Sequence, residues 1–403
     1  MNKWQIKISL LLSAFLVFQA CSNDDDSSED GMSGEASEAP ATYSFESRFV
    51  DGESSVSYSG QVVRNLLIRD IKSAAATDGT TAAELNVYYG NTDADAMIAT
   101  SSSYTADQAK YHDISTKNLS GKIDDTSIVL GFDMTADALM AEWFTAVETA
   151  GTKETADGIR LDQMIAKGLL GSVSYYQATS GYLASIDDDD NSVAYVSSGV
   201  TKNYTEMEHH WDESFGYFGA SLDYGTQDNA TQKIYNDSDA SNSIDYTSEY
   251  NFDWAAYAAK RDDCDGCDTG GFAKAIFDAY VMGRHLITTE AALTDIQAQR
   301  TIVSQHWEKV IAANIIHYAN SVEADIAAGS SDLNKHWAEM RAFGMCLQFN
   351  TLSDAMISTT DLTAVVAAMG NTPPAGDYAT EISTIKSTLQ STYSFTDNDL
   401  ANW

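Results

Sequence analysis

Helix-forming sequence runs through most of this chain with few interruptions. Proline, which removes a backbone hydrogen bond wherever it sits inside a helix, occurs three times in 403 residues. From Gly271 onward, apolar residues recur at helical spacing, and Gly329 and Pro373-Pro374 are the points that punctuate the pattern. The strict alternation of a strand is not evident in the sequence. The pattern therefore predicts an all-α fold of two packed helical bundles with long polar loops.

The predicted helices begin after the first forty or so residues. The all-α domain is expected at 43–403, with a first half at about 43–222, a polar loop insertion at 223–250 and a second half at about 251–403. Helices are expected at about 57–71, 81–90, 104–112, 133–150, 160–186, 204–220, 253–261, 271–288, 290–327, 331–350, 359–369 and 376–392.

The N-terminus has the pattern of a bacterial lipoprotein. Residues 1–20 read as a signal peptide, because two lysines precede the apolar run Ile8–Phe18, which is too short to span a bilayer. Cys21 follows a small residue, which resembles a lipobox whose cysteine is lipidated. Residues 21–42 are an expected disordered acidic tether, since their composition offers little to pack. We therefore expect an outer-membrane lipoprotein, on the cell surface or the periplasmic face, held to the membrane by its lipid anchor.

The composition is strongly acidic. Lys and Arg number 23 against 59 Asp and Glu, which gives a formal charge of -36. Such a surface repels nucleic acid and anionic lipid headgroups, so a nucleic-acid partner is not expected. The same surface attracts cations, Ca²⁺ included, although a high charge also serves solubility alone.

A repeated His-Trp-x-Glu motif is the main candidate for chemistry. His210 and Glu213 lie in the stretch Tyr204–Gly219, and His336 and Glu339 repeat the spacing later in the chain. Residues three apart on a helix share a face, so each pair places an imidazole beside a carboxylate. This is half of a divalent metal site, with iron and zinc as the candidate ions, although the spacing alone does not select iron. We expect two helices from the two halves to bring His210, Glu213, His336 and Glu339 together as ligands.

Several neighbours of the motif are expected to support the ligands. Adjacent helical residues diverge by about 100°, so His209 is expected to pair with Glu206 rather than to share the site, while Glu208 and Asp212 lie close by. His306 repeats the His-Trp pair without the carboxylate and is expected to have a capping or packing role. A structural alternative stays open, in which each His–Glu pair is a buried hydrogen bond and each Trp anchors the core.

Acidic loops and cysteines offer further sites. The run Asp187–Asn191 reads as a solvated loop or, alternatively, a calcium site, and Asp262–Asp268 partly resembles a calcium loop. Cys264 and Cys267 within that loop are expected to form a small disulfide, with free thiols or metal binding as the alternative. Cys346 falls in a helix expected to be buried and is interpreted as a packed thiol.

Four motifs together resemble the bacterial DUF4856 lipoproteins, a family without an assigned activity. The resemblance covers about 43–400. The motifs are Tyr58-Ser-Gly-Gln-x-x-Arg64, Tyr176-Gln-Ala-Thr-Ser-Gly-Tyr182, Glu208-His-His-Trp-Asp-Glu-Ser-Phe-Gly-Tyr-Phe-Gly219 and His336-Trp-x-Glu-Met-x-x-Phe343.

The chain is also distantly similar to imelysin-like proteins, which are helical and apparently duplicated and carry a Gly-x-His-x-x-Glu motif. His210 and Glu213 match that motif, whereas Glu208 stands in place of its Gly. This resemblance implies a pseudo-duplicated fold and a role in iron acquisition. It also implies as partner a TonB-dependent receptor or another outer-membrane uptake protein.

Three functions remain as hypotheses at this point. The first is a lipoprotein that binds a metal ion or a metal-containing ligand for iron acquisition. The second is a non-enzymatic scaffold that binds a carbohydrate or a receptor through Tyr-rich loops. The third is a metallopeptidase, which needs a general base and an open metal position, and the sequence identifies neither.

Overall fold

The computed structural model describes residues 38–403, and Ala39–Trp403 forms one compact unit. The expected signal peptide at 1–20 and lipidation site at Cys21 lie outside the described residues, as does most of the expected tether at 21–42. The two halves expected around the insertion at 223–250 belong to the same unit, because α4 from the first packs on α10 from the second.

The fold is all-α, as the helical periodicity predicts. Thirteen α-helices are present between residues 38 and 403: α1 Ser59–Ala75, α2 Ala82–Gly90, α3 Ala136–Ala150, α4 Leu161–Leu169, α5 Glu206–Phe218, α6 Asn229–Gln232, α7 Asp253–Asp262, α8 Phe272–Thr288, α9 Leu293–Ala328, α10 Leu333–Cys346, α11 Thr359–Met369, α12 Ala379–Tyr393 and α13 Asp397–Asn402.

Two local expectations differ from the structure. The segment expected to be a helix at 104–112 is mostly extended and forms single hydrogen-bonded bridges to Met97 and Ile244, with one 3₁₀ turn at Tyr111–Asp113. A two-residue hairpin, β1 Val196–Ser197 and β2 Val200–Thr201, also escaped the sequence pattern. Both features are too short for hydrophobic periodicity to identify.

The core is organised around the 36-residue helix α9, which packs on both α8 and α10. Helix α4 continues into the π-helical turns Leu170–Tyr175 and Gln177–Leu183, which pack on α5. Gly171 in these turns faces α10 so closely that a Cβ there would lie 2.7 Å from the Cys346 Sγ. The absent side chain is therefore what allows α4 and α10 to approach each other.

Three cysteines lie among the described residues, two of them joined and one free. Cys264 and Cys267 form a disulfide with Cα atoms 5.6 Å apart, while Cys346 is a buried free thiol whose Sγ bonds the Lys167 carbonyl. Between residue 38 and the C-terminus, no helix is both long enough and apolar enough to cross a membrane.

Candidate functional site

Helix α5 carries the first motif and has well-defined ends. Thr205 caps its N-terminus, accepting from the Glu208 N–H while the Glu208 carboxylate accepts from the Thr205 N–H. Gly219 ends it in the left-handed conformation at φ 77°. Trp211 is fully buried, and its Nε1 donates to the Tyr280 carbonyl at 2.9 Å. This anchor fixes the rotation of α5 about its axis and so the direction in which its other side chains point.

Glu208 and Asp212 occupy the buried face of α5 and serve as counter-ions. Both lie 2.9 Å from the Arg284 guanidinium, and all three side chains are fully buried. Burial raises the pKa of Asp212 to about 6, although Arg284 and a hydrogen bond from Tyr43 oppose the shift. The sequence pattern predicted that Glu208 and Asp212 support the metal ligands, but in the structure they neutralise Arg284 instead.

His210 lies on the half-buried face of α5 and pairs with the four-aspartate run. Its Nδ1 is 2.8 Å from the Asp189 carboxylate and 2.9 Å from the Ser185 hydroxyl, and its ring centroid is 5.4 Å from that of Tyr182. Burial lowers the pKa of His210, but the hydrogen bond and charge of Asp189 outweigh burial and leave the pKa raised. The position therefore favours a cation.

Glu206 completes a group of three possible ligands with Asp189 and His210. One nitrogen and two carboxylate oxygens from these residues lie within 4.8 Å of one another, and each residue is half buried. With bonds of about 2.1 Å, two ligands of one ion stand about 3.0–3.4 Å apart. The three atoms lie within 4.8 Å and need only small side-chain movements to reach the separation of ligands on one cation.

An acidic cleft opens beside this group. Its volume is about 420 Å³, and Asp189 lines it together with three more carboxylates and no Lys or Arg. The further carboxylates are Asp187, Asp190 and Glu290. Arg300 and Arg48 pair with two of these carboxylates, Asp187 and Glu290, and Asp189 is the member of the ligand group that lines the cleft. The cleft therefore offers an approaching cation an acidic wall at Asp189.

Glu213 and His209 form a separate pair on the same helix. The Glu213 carboxylate accepts from the Gln61 amide at 2.8 Å and lies 3.9 Å from the His209 Nε2. Burial lowers the pKa of His209, and its Nδ1 has no hydrogen-bond partner between residues 38 and 403. His209 therefore pairs with Glu213, whereas the sequence pattern predicted Glu206, and Glu213 does not face His210.

The second motif is placed elsewhere and is occupied by local contacts. His336 Nδ1 lies 2.6 Å from the Asp325 carboxylate, and the Glu339 carboxylate accepts from the Lys167 ammonium at 2.9 Å. Among residues 38–403, neither of these two residues, nor Glu213, belongs to a group of three possible metal ligands. The structure therefore does not bring His210, Glu213, His336 and Glu339 together as one ligand set.

The two motifs nevertheless build the same local arrangement. Each His pairs with an Asp, and each Trp is buried and donates to a carbonyl, Trp337 to that of Met369 at 2.9 Å. The aspartates come from a second repeat that the sequence-based reasoning missed, Tyr182-Leu-Ala-Ser-Ile-Asp-Asp-Asp189 and Tyr318-Ala-Asn-Ser-Val-Glu-Ala-Asp325. Aligning the two segments before each His-Trp would have found it.

Only the first of these two arrangements gains a third ligand. Glu206 joins His210 and Asp189, whereas His336 and Asp325 have no comparable carboxylate within reach. The second arrangement is thus a natural control for the first within one molecule.

An oxygen-only group lies in the insertion at 223–250. Asp237, Asp239 and Glu249 offer carboxylate oxygens within 4.8 Å of one another. Such a set could hold Ca²⁺, which prefers oxygen ligands. The other loop with a calcium-like sequence is used structurally, since Asp262 accepts the N–H groups of Phe272 and Ala273 at the start of α8.

Comparison with known proteins gives one match. A family model described as Domain of unknown function (DUF4856) matches residues 40–396. No curated protein and no solved structure matches the chain.

Proposed function

The chain belongs to the DUF4856 family, whose description assigns no activity, and from the geometry of its site we propose that it binds a metal ion through Asp189, Glu206 and His210. The observation that carries the proposal is the convergence of these three groups within 4.8 Å, with Asp189 also lining an acidic cleft. One imidazole with two carboxylates is a ligand set that suits Zn²⁺ or Fe²⁺, whereas Ca²⁺ prefers oxygen ligands alone.

Competition with a proton supports this assignment. The raised pKa of His210 means that this position already holds a proton more firmly than a free imidazole does. A metal ion must displace that proton, because only a neutral imidazole nitrogen binds metal. The same carboxylates that stabilise the imidazolium then stabilise the ion.

The wider role follows from the N-terminus and the resemblance discussed above. A lipidated Cys21 would hold the site at the outer membrane, where a metal-binding protein takes part in iron acquisition and hands its ion to an uptake receptor. Among the possible metals, iron is therefore tested first and zinc second.

The test is calorimetric titration of the full chain with Fe²⁺ without oxygen, and with Zn²⁺ and Ca²⁺, alongside elemental analysis of the purified protein. Three variants accompany the native chain, namely His210→Ala, His336→Ala and Asp237→Asn. His336→Ala is the matched control, because His336 is also followed by a Trp in the sequence and also pairs with an Asp.

We expect one site for Fe²⁺ or Zn²⁺, weakened at least about 100-fold by His210→Ala and unchanged by the other two substitutions. Equal affinity in the native chain and His210→Ala would remove the proposal. If Ca²⁺ binds and Asp237→Asn alone abolishes that binding, the metal site lies in the insertion at 223–250 instead. Preference for zinc over iron would leave metal binding standing and remove the iron role.

A further inference from the structure

A second cavity lies between α1, α4 and α7 and shares no lining residue with the cleft at His210. Its volume is about 290 Å³, which suits a small ligand. The wall includes Arg69 and Lys72 from α1, Lys167 from α4, and Asp253 and Tyr257 from α7.

Lys72 is a half-buried amine without a charged partner. Among residues 38–403 it forms no hydrogen bond and has no carboxylate within 4.0 Å. Seven other lysines between residues 38 and 403 also lack a carboxylate within that distance, so the missing partner is not peculiar to Lys72. What distinguishes Lys72 is its place at the wall of a cavity beside a second lysine, Lys167.

The charges around the cavity favour an incoming anion. Burial lowers the pKa of Lys72, and the charge of Lys167 lowers it further, while the charges of Asp253, Glu339 and Asp162 act in the opposite direction without offsetting this shift. The carboxylate of the other lining acid, Asp162, is already held by Arg160 at 2.8 Å. An anion beside Lys72 would stabilise its protonated amine, which burial and the charge of Lys167 disfavour.

We propose that this cavity binds a small organic anion, a carboxylate or a phosphate ester, with Lys72 as its counter-ion. Lys167 adds positive charge from the adjoining wall while it remains bonded to Glu339. The phenol ring of Tyr257 and the side chain of Leu170 give the uncharged part of the ligand an apolar surface to contact.

The experiment is calorimetric titration of the full chain with three probes that share a sugar ring: glucuronate, glucose 6-phosphate and neutral glucose. Four variants are compared, namely Lys72→Gln, Lys72→Arg, Asp253→Asn and the control Lys274→Gln. Lys274 is exposed and paired with Asp278, so its loss should not affect the cavity. Circular dichroism establishes that each variant is folded.

We expect one or both anions to bind and glucose not to bind. Lys72→Gln should weaken binding at least about tenfold, because a hydrogen bond to a charged group is lost. Lys72→Arg should retain binding, and Asp253→Asn should tighten it by removing a competing negative charge. Which anion binds more tightly identifies the source as carboxylate or phosphate.

The proposal is overturned if neither anion binds at millimolar concentration, or if Lys72→Gln and Lys274→Gln bind as the native chain does. Should Lys72→Gln fail to fold, an unchanged affinity in Asp253→Asn would overturn it equally.

Discussion

Replacing Arg284 by Met should destabilise the protein more than almost any other single change. Its guanidinium lies 2.9 Å from both the Glu208 and the Asp212 carboxylates and also donates to the Ser55 hydroxyl at 2.7 Å. All these groups are buried, so Arg284→Met would leave Asp212 without a counter-ion and Glu208 with Arg48 alone, whose Nε lies 3.4 Å from its carboxylate. Removing one partner from a buried ion pair costs about 3–5 kcal/mol, a large share of the about 5–15 kcal/mol that stabilises a typical protein.

Urea unfolding followed by circular dichroism measures this loss. Arg300→Met is the control, because Arg300 pairs at 2.9 Å with the partly exposed Asp187 and should lose no more than about 1 kcal/mol. A triple variant that combines Arg284→Met with Glu208→Gln and Asp212→Asn should recover most of the loss, since it removes the uncompensated charge. Gln at 208 also preserves the capping box at the start of α5.

The pH dependence of Arg284→Met has a defined sign. Without the guanidinium, the folded-state pKa of Asp212, which is already about 6 in the native protein, rises further above its unfolded value of about 4. Groups with raised pKa values contribute stability that is present below the unfolded pKa and lost as pH rises through the folded pKa. The deficit should therefore be smaller at pH 5 than at pH 8. A loss under about 1 kcal/mol at pH 8, or a deficit that grows on acidification, would refute the reasoning.

Three further predictions follow from single contacts. The imidazole of His210 should titrate above pH 6.5 by NMR, and a titration at or below 6.5 contradicts this. Its stabilising contribution relative to His210→Asn should be present at pH 6 and lost as pH rises through that pKa. The affinity for Zn²⁺ should increase over the same pH range, because the metal binds the neutral imidazole. Gly171→Ala should cost about 1–3 kcal/mol in urea unfolding, because its Cβ would lie 2.7 Å from the Cys346 Sγ, and a neutral effect would show that α4 and α10 can separate freely. Trp337→Phe should cost at least about 1 kcal/mol in the same assay, because the smaller ring leaves a gap in the core and the Met369 carbonyl keeps only the Tyr378 hydroxyl as a side-chain donor. An unchanged midpoint would argue against this contribution.

The helices are largely determined by the sequence itself. The pattern predicts 359–369, and α11 spans Thr359–Met369; most other helices end within a few residues of their expected bounds. Helical spacing of apolar residues is a local property, because the hydrogen bonds that it accompanies join residues four apart. The two Trp residues of the His-Trp-x-Glu motifs are core anchors for the same reason, since each lies on the apolar face of its helix.

The candidate site is decided by the tertiary structure. The motif spacing predicts that His210 and Glu213 share a face of α5, yet Glu213 turns to Gln61 while His210 turns to Asp189. These partners lie on other segments, and a spacing within one helix contains no information about them. The counter-ion role of Glu208 and Asp212 depends in the same way on Arg284, which α8 supplies.

The sequence by itself therefore determined an acidic, all-α protein with two anchored His-Trp motifs. Tertiary structure decided which acidic side chain each histidine meets, and so which motif can hold a metal ion. The physical reason is that helix formation depends on neighbours in the sequence, whereas ligand geometry depends on segments that meet only when the core packs.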